Sequence, residues 1–343
     1  MIVRLKPGSD PDAVQRELAQ RGLWVRRFEG TSGVTLTIEP SSRRVSAEEL
    51  RAIDGVLDVA APRSPHPRLD AQPRELTLRG VVSQEPLLIA GPCAVESAEQ
   101  VEAVAARVAA AGGQLLRGGA FKPRTSPYAF RGHGVRALGW LADAARKHQL
   151  ACVTELMSEE DAAAVGEVAD WIQIGCRNMQ SYSLLAAAAK LGRPILLKRA
   201  MSASLEEWLL AGEHCLVHGA PQVVFCERGI RSFDPSTRNL FDISAIALLS
   251  QVYRQPVIAD PSHAAGRRDL IPALSRAALA AGAAGLLLET HDTPGAALSD
   301  GPQALLPHEF ASLTAELGWA SRPIAPRAGE RPAPAPRVLE SLP

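Results

Sequence analysis

Within a few positions the chain turns from core-forming to charged. Gln114-Leu115-Leu116 is a short apolar run of the kind that forms a buried strand. Arg117-Gly118-Gly119-Ala120-Phe121 breaks it, and Lys122-Pro123-Arg124-Thr125-Ser126-Pro127-Tyr128 follows. Arg117, Lys122 and Arg124, bounded by Gly and Pro, would make a poor core and a good phosphate cradle. Arg supplies a bidentate fork, Lys a point charge, Gly a close backbone approach and Pro a fixed turn. A solvated basic loop is the plainer alternative. Of the 37 Lys and Arg residues only five are Lys, and two of them, Lys122 and Lys198, lie near Arg where apolar runs end. That choice suggests a need for a compact charge at both places.

A second chemistry is offered by Cys93, His263, Glu289 and Asp300. Thiol, imidazole and carboxylates together suit a divalent ion such as Mn, Fe, Co or Zn. These residues are far apart in sequence, with no CxxC or HExxH spacing, so pattern alone says nothing. Taken singly, Cys93 reads as a small core residue and His263 as a satisfied loop histidine.

What would bring them together is the order of elements. From Leu87 onward, apolar runs recur at Leu87–Ala90, Gln114–Leu116, Ala151–Glu155, Trp171–Ile174, Pro194–Leu197, Val223–Cys226, Pro256–Ala259 and Gly285–Leu288. Segments of helical period separate them: Ala98–Ala111, Gly134–His148, Glu159–Val168, Ser181–Leu191, Ser204–His218, Ile243–Tyr253, Leu270–Ala281 and Pro302–Leu317. Eight such pairs predict an α/β fold, a (β/α)8 TIM barrel. A doubly wound open sheet is the alternative, but the count closes at eight and polar residues follow nearly every strand. In a barrel the strand C-termini share one mouth. Arg117, Lys122, Arg124, Arg177, Lys198 and Arg228 would face it together and repel unless anions compensate. A polyanionic, phosphorylated ligand is therefore expected, with ion pairs to Glu155, Glu227 and Asp260 as the alternative. Cys93, His263, Glu289 and Asp300 fall at the same mouth.

Residues 1–62 read as strand, helix, strand, strand, helix, strand, with Ser-x-Glu-Glu from Ser46 near a capping box. This predicts a small N-terminal ferredoxin-like βαββαβ domain without catalytic groups, either a structural appendage or a regulatory unit. Residues 63–86, rich in proline, read as a linker with one short strand at Glu75–Leu78. The barrel occupies 87–320, and 321–343, with six prolines, reads as a disordered tail. The net charge of +0 argues against nucleic acid or an anionic membrane as a partner. No apolar run approaches the ~18 residues of a membrane span, and the N-terminus lacks a signal-peptide pattern. Five scattered cysteines argue for the reducing cytoplasm.

These motifs resemble the type I-beta 3-deoxy-D-arabino-heptulosonate 7-phosphate (DAHP) synthase family. The resemblance runs from Leu87 to Leu306. It rests on Ile89-Ala90-Gly91-Pro92-Cys93, the segment Leu116 to Tyr128, Gly175-Cys176-Arg177-Asn178-Met179-Gln180, Leu196-Leu197-Lys198-Arg199, Cys226-Glu227-Arg228-Gly229-Ile230-Arg231, Asp260-Pro261-Ser262-His263 and Leu298-Ser299-Asp300-Gly301. It implies condensation of phosphoenolpyruvate with erythrose 4-phosphate, the first step of the shikimate pathway. By motif, Arg177, Lys198 and Arg228 would hold the phosphoenolpyruvate phosphate, and Arg117 and Lys122 its carboxylate. Arg124, Thr125 and Ser126 would hold erythrose 4-phosphate, with Glu155 and Asp300 added to the substrate-binding set. Cys93, His263, Glu289 and Asp300 match the metal ligands, manganese first and Fe, Co or Zn otherwise. By the same resemblance, Lys122, Cys93 and His263 would form the catalytic set. The N-terminal unit resembles the regulatory domain of some members, which implies tyrosine or phenylalanine as effector and a homo-oligomer, dimer or tetramer. Cys176 stands where Ala is usual, Ala200 where Gly is usual, and Glu289-Thr290-His291-Asp292 where Glu-Val-His-Pro is usual. None of these removes a catalytic group. The rivals are a 3-deoxy-D-manno-octulosonate 8-phosphate synthase, whose loop reads Lys-Ala-Asn-Arg-Ser, and a non-catalytic partner of another shikimate-pathway enzyme. A fused chorismate mutase is disfavoured, because residues 1–62 lack its long helices.

Overall fold

The structure, a computed structural model, describes residues 1–319 apart from 31–32, 40–41, 44, 61–63, 84, 123–125 and 127. The chain divides into two units, Met1–Pro67 and Arg68–Pro343. The expected tail, 321–343, lies outside the described residues.

The first unit runs β1 (Ile2–Leu5), α1 (Pro11–Gln20), β2 (Val25–Gly30), β3 (Gly33–Ile38), α2 (Ala47–Arg51), β4 (Val56–Ala60). Period-two alternation sends Val3 and Leu5 inward, against Val14 and Leu18 of α1 and Leu36 of β3. The antiparallel sheet has the order β2-β3-β1-β4, the split βαβ arrangement expected for this region. Asp10 starts α1 by accepting the Asp12 N–H at 2.9 Å, and a Ser46–Glu49 capping box starts α2. Strand β2 begins at Val25, two residues past Leu23. Leu23 instead closes α1, its N–H bonded to Leu18 O at 2.9 Å and its side chain fully buried.

The second unit opens with α3 (Pro67–Ala71) and a hairpin of β5 (Thr77–Leu78) and β6 (Val81–Val82). The expected linker is thus packed structure over its described length. The Glu213 carboxylate accepts the Arg68 and Leu69 N–H groups at 3.0 and 2.9 Å. Gln222 donates to Pro73 O and Glu75 O at 3.3 and 2.7 Å and accepts the Thr77 N–H at 3.2 Å. Leu76 and Leu78 join the apolar cluster inside the barrel. Pro67 starts α3, and Pro65, Pro73 and Pro86 lie in irregular backbone between elements of a bound segment, a role composition does not separate from a tether.

The barrel itself is β7 (Leu87–Gly91), α4 (Ala98–Ala110), β8 (Leu115–Arg117), α5 (Val135–Lys147), β9 (Ala151–Glu155), α6 (Ala162–Val168), β10 (Trp171–Ile174), α7 (Tyr182–Ala189), β11 (Ile195–Lys198), α8 (Leu205–Val217), β12 (Val223–Glu227), α9 (Ile243–Ala247), β13 (Val257–Ala259), α10 (Pro261–Ala265), α11 (Ile271–Ala280), β14 (Gly285–Glu289) and α12 (Pro307–Glu316). The eight strands are parallel and close where β14 pairs with β7. Two elements differ from expectation. The segment 243–253 is α-helical only to Ala247 and continues as a π-helical turn over Leu248–Tyr253, which Arg254 ends in the left-handed region at φ 57°. The short helix α10 follows β13 directly and has no counterpart among the eight expected helical segments.

Alternation explains why the mouth is charged. Ile89, Leu115, Val153, Trp171, Leu196, Cys226, Ile258 and Leu287 fill the barrel interior, while Leu88, Leu116, Cys152, Ile172, Leu197 and Phe225 pack outward. Two residues further along the inward register stand Arg117, Glu155, Gln173, Lys198, Arg228, Asp260 and Glu289, all buried. Seven of the eight strands therefore carry one polar group from the apolar interior to the same end, and β7 ends in Gly91 instead.

Candidate active site

Cys93 lies just past β7, His263 on α10, Glu289 at the end of β14 and Asp300 in the segment before α12. Together they bring one sulfur, one imidazole nitrogen and two carboxylate oxygens within 4.8 Å of one another. Cys93 Sγ is 3.0 Å from Asp300 Oδ2 and 3.2 Å from Ser299 Oγ. His263 Nε2 is 3.3 Å from Glu289 Oε1, and its Nδ1 is 2.7 Å from Asp260 Oδ2. Helix α10 makes this possible. Asp260 caps it, its Oδ1 accepting the His263 N–H at 3.0 Å, so its other oxygen is left against the ring. Ser262 Oγ accepts the Glu289 N–H at 3.0 Å and ties the next strand to the same helix.

Burial pushes the Cys93 thiol up to about 11, with Glu289 adding to the effect and Lys122 and Arg117 opposing it. Burial also lowers His263, against the pull of Asp260 and Glu289, so the ring favours its neutral form. At Glu289 burial opposes ionisation, yet His263 and Arg117 hold the carboxyl below its usual range. At Asp300 burial again opposes, and the Cys93 hydrogen bond, His263 and Arg238 outweigh it. A neutral imidazole and two carboxylates converging on a buried sulfur form a mixed N/O/S donor set, which suits a divalent transition ion.

The cations stand beside this cluster. Arg117 Nη1 donates to Glu289 Oε1 at 2.5 Å and to Pro92 O at 3.4 Å. Lys122 Nζ donates to Cys93 O at 2.9 Å and to Cys93 Sγ at 3.0 Å. Gly119 permits that approach, since a Cβ there would lie 2.7 Å from Cys93 O and 3.0 Å from Lys122 Cδ. Lys198 Nζ bonds Asp260 Oδ2 at 2.6 Å. Arg228 is buried at the end of β12. The expected ion pairs thus occur in part. Asp260 pairs with Lys198, whereas Glu227 pairs with Arg199 at 3.2 Å, and Glu155 accepts from the Gln173 amide at 3.2 Å. Arg177 and Ser126 are exposed on loops, Ser126 Oγ accepting the Tyr128 N–H at 3.3 Å. Arg124 and Thr125 lie outside the described residues.

Sequence reasoning treated Asp260 only as an ion-pair partner and passed over Ser262, Arg238 and Gln303. Asp260 carried a signal, two positions past the inward Ile258. The other three sit on a helix or in loops where no period exists.

A family model described as the DAHP synthetase I family matches residues 79–322. A phospho-2-dehydro-3-deoxyheptonate aldolase of Thermotoga maritima is 39% identical over 326 residues, 92% of this chain and 96% of that protein. A 2-dehydro-3-deoxyphosphooctonate aldolase of Bartonella quintana is 34% identical over 63% of this chain and 83% of its own length. Among solved structures, the Thermotoga maritima phospho-2-dehydro-3-deoxyheptonate aldolase (DAHP synthase) superposes with a TM-score of 0.72 at 38% identity, covering 92% of this chain and 95% of that one. A truncated 3-deoxy-D-arabino-heptulosonate 7-phosphate synthase from the same organism gives a TM-score of 0.64 at 41% identity, covering 69% of this chain and 87% of its own.

Proposed function

The chain belongs to the DAHP synthetase I family, and on that premise we propose how its barrel mouth condenses phosphoenolpyruvate with erythrose 4-phosphate. The enzyme is a 3-deoxy-7-phosphoheptulonate synthase of the shikimate pathway, from a family of metalloenzymes. The octulosonate rivals match with lower identity and over less of the chain.

The observation that carries the residue roles is the position of Lys122. Its ammonium lies 3.0 Å from the sulfur of the donor cluster, at the mouth that also holds Arg117, Lys198 and Arg228. Anion-holding and ion-holding groups therefore meet at one point. In our reading Arg177, Lys198 and Arg228 take the phosphate of phosphoenolpyruvate, and Arg117 and Lys122 its carboxylate. Arg124, Thr125 and Ser126 take the phosphate end of the sugar, and Glu155 lines the same mouth. A divalent ion held by Cys93, His263, Glu289 and Asp300 supplies Lewis acidity toward the aldehyde carbonyl, and manganese is our first candidate over Fe, Co or Zn. Carbon 3 of phosphoenolpyruvate bonds to the aldehyde carbon, and Lys122 gives a proton to the aldehyde oxygen. Water adds at carbon 2 and returns a proton, and phosphate leaves by C–O cleavage. The cations hold both anions before the bond forms, so positioning and electrostatic preorganisation contribute to the rate.

We also assign to residues 1–62 the binding of an aromatic amino acid effector, tyrosine or phenylalanine, in a homo-oligomer. Among the described residues no helix is long and apolar enough to cross a membrane. Five cysteines, odd in number and scattered along the chain, form no disulfide among the described residues, and we propose a cytoplasmic setting from that spacing. The direct test of the roles is Lys122→Ala, read as phosphate release from phosphoenolpyruvate and erythrose 4-phosphate. Turnover should fall by orders of magnitude, and near wild-type turnover would refute the assignment.

A further inference from the structure

We propose that Arg238 and Gln303 are positioning residues, one hydrogen-bonded strap that fixes both carboxylates of the donor cluster and so sets its affinity for a divalent cation. The inference rests on the metal reading above and deepens it.

Each carboxylate has one oxygen in the cluster and one outside it. Glu289 turns Oε1 toward His263 Nε2 and Arg117, and Asp300 turns Oδ2 toward Cys93 Sγ. The two outer oxygens are joined by a single chain of bonds. Arg238 Nη1 donates to Asp300 Oδ1 at 3.0 Å and to Gln303 Oε1 at 2.9 Å. Gln303 Nε2 then donates to Glu289 Oε2. Because Arg238 can only donate, the Gln303 oxygen must face it and the amide N–H must face Glu289, so the amide has one workable orientation. Gln303 is 2% exposed, so water is a poor substitute for either bond.

The strap is anchored to the third ligand as well. Arg238 N–H donates to Ala265 O at 3.0 Å and Asn239 N–H to Ala264 O at 2.9 Å, both on α10. The Asn239 amide donates to His263 O at 3.1 Å. Gly266 gives room for this contact, since a Cβ there would fall 2.6 Å from Arg238 Cβ. Asp300 itself sits in the left-handed region, φ 53°, which Asp enters more readily than most non-glycine residues. Without the strap, the outer oxygen of each carboxylate loses its partner among these residues, and only the inner oxygens stay held by Arg117, His263 and Cys93. Groups that orient ligands from behind in this way typically change metal affinity by about 10–100-fold when removed.

The test uses metal-free full-length enzyme titrated with Co2+, followed by the thiolate-to-cobalt absorption and the visible ligand-field bands. Cys93→Ala identifies the thiolate band. Arg238→Met and Gln303→Leu should each weaken Co2+ binding by about 10–100-fold and shift the visible bands. Arg238→Lys should recover part of the loss. The double variant should be little worse than the weaker single one, because the two residues are links of one chain. Arg276→Met, which breaks only an exposed pair with Glu316, should bind Co2+ as wild type does. Should Gln303→Leu not fold, the part-exposed Arg238 variants carry the test alone. Wild-type affinity and unchanged bands in Arg238→Met would overturn the strap while leaving the metal reading intact. A wild type without any thiolate band would remove the metal reading, and the strap with it.

Discussion

In the proposed site, the buried Cys93 would link ion binding to a proton. Its thiol is pushed up to about 11, chiefly by burial, so the metal-free site carries S–H at neutral pH. Only the thiolate is a good ligand, so an ion must displace that proton on binding. His263 is lowered and already neutral in the same range, and adds no second proton. The sign follows: apparent affinity rises with pH, by roughly tenfold per unit for one proton released. Calorimetric titration with Mn2+ in buffers of different ionisation enthalpy should show release of about one proton per ion at around pH 7. An affinity flat between about pH 6.5 and 8.5 would argue against a thiolate ligand. Lys122 makes a complementary point. It touches both Cys93 O and Cys93 Sγ from a backbone that Gly119 lets come close. Lys122→Arg should therefore recover little of the activity lost in Lys122→Ala, since a planar fork cannot occupy the space of a compact ammonium. Recovery to near wild-type kcat would show that charge alone suffices.

At the scale of elements, the segment once expected to be a tether has a measurable role. Leu69 of α3 is fully buried, and the Glu213 carboxylate is satisfied by the N–H groups of Arg68 and Leu69. A chain beginning at Ser64 keeps these contacts, and one beginning at Pro73 loses them. The shorter chain should be less stable by about 2–5 kcal/mol for the lost leucine alone, with the unsatisfied carboxylate adding to it. Thermal unfolding of the two chains decides it, and equal midpoints would show that α3 is dispensable. The same contrast explains how much of the molecule was legible in the sequence. Barrel strands are short, apolar and bounded by helical periods, so their number and order could be read. Arg117, Lys198, Arg228 and Glu289 were legible as functional because each follows an inward apolar residue at a spacing of two. Helix α10 has only five residues, too few for a period, although its Asp260 cap and Gly266 end are ordinary helix signals. Arg238 and Gln303 belong to loops whose partners are set by closure of the whole barrel, so no local pattern announces them. Of the hairpin, the short strand expected at Glu75–Leu78 overlaps β5, whereas β6 was not legible, because Leu76 and Leu78 find their partners only inside a completed barrel.

At the scale of the molecule, a small antiparallel unit precedes a barrel that holds every described group of the proposed site. If residues 1–62 bind an aromatic amino acid that favours one of two states, they regulate, and otherwise they stabilise. A chain beginning at Ser64 should keep turnover and lose inhibition by tyrosine or phenylalanine. Should calorimetry detect no binding of an aromatic amino acid or a later pathway product to the intact enzyme, the unit is a structural appendage. The central claim is that Cys93, His263, Glu289 and Asp300 form one ion site beside the substrate-holding cations. It is tested most directly by anomalous diffraction from crystals of the full-length enzyme grown with Mn2+ and phosphoenolpyruvate. The account predicts a single manganese peak within bonding distance of all four side chains, with phosphoenolpyruvate density against Arg117, Lys122, Lys198 and Arg228. A manganese peak elsewhere, or phosphoenolpyruvate bound in a catalytically active crystal with no ion among these four residues, would contradict it.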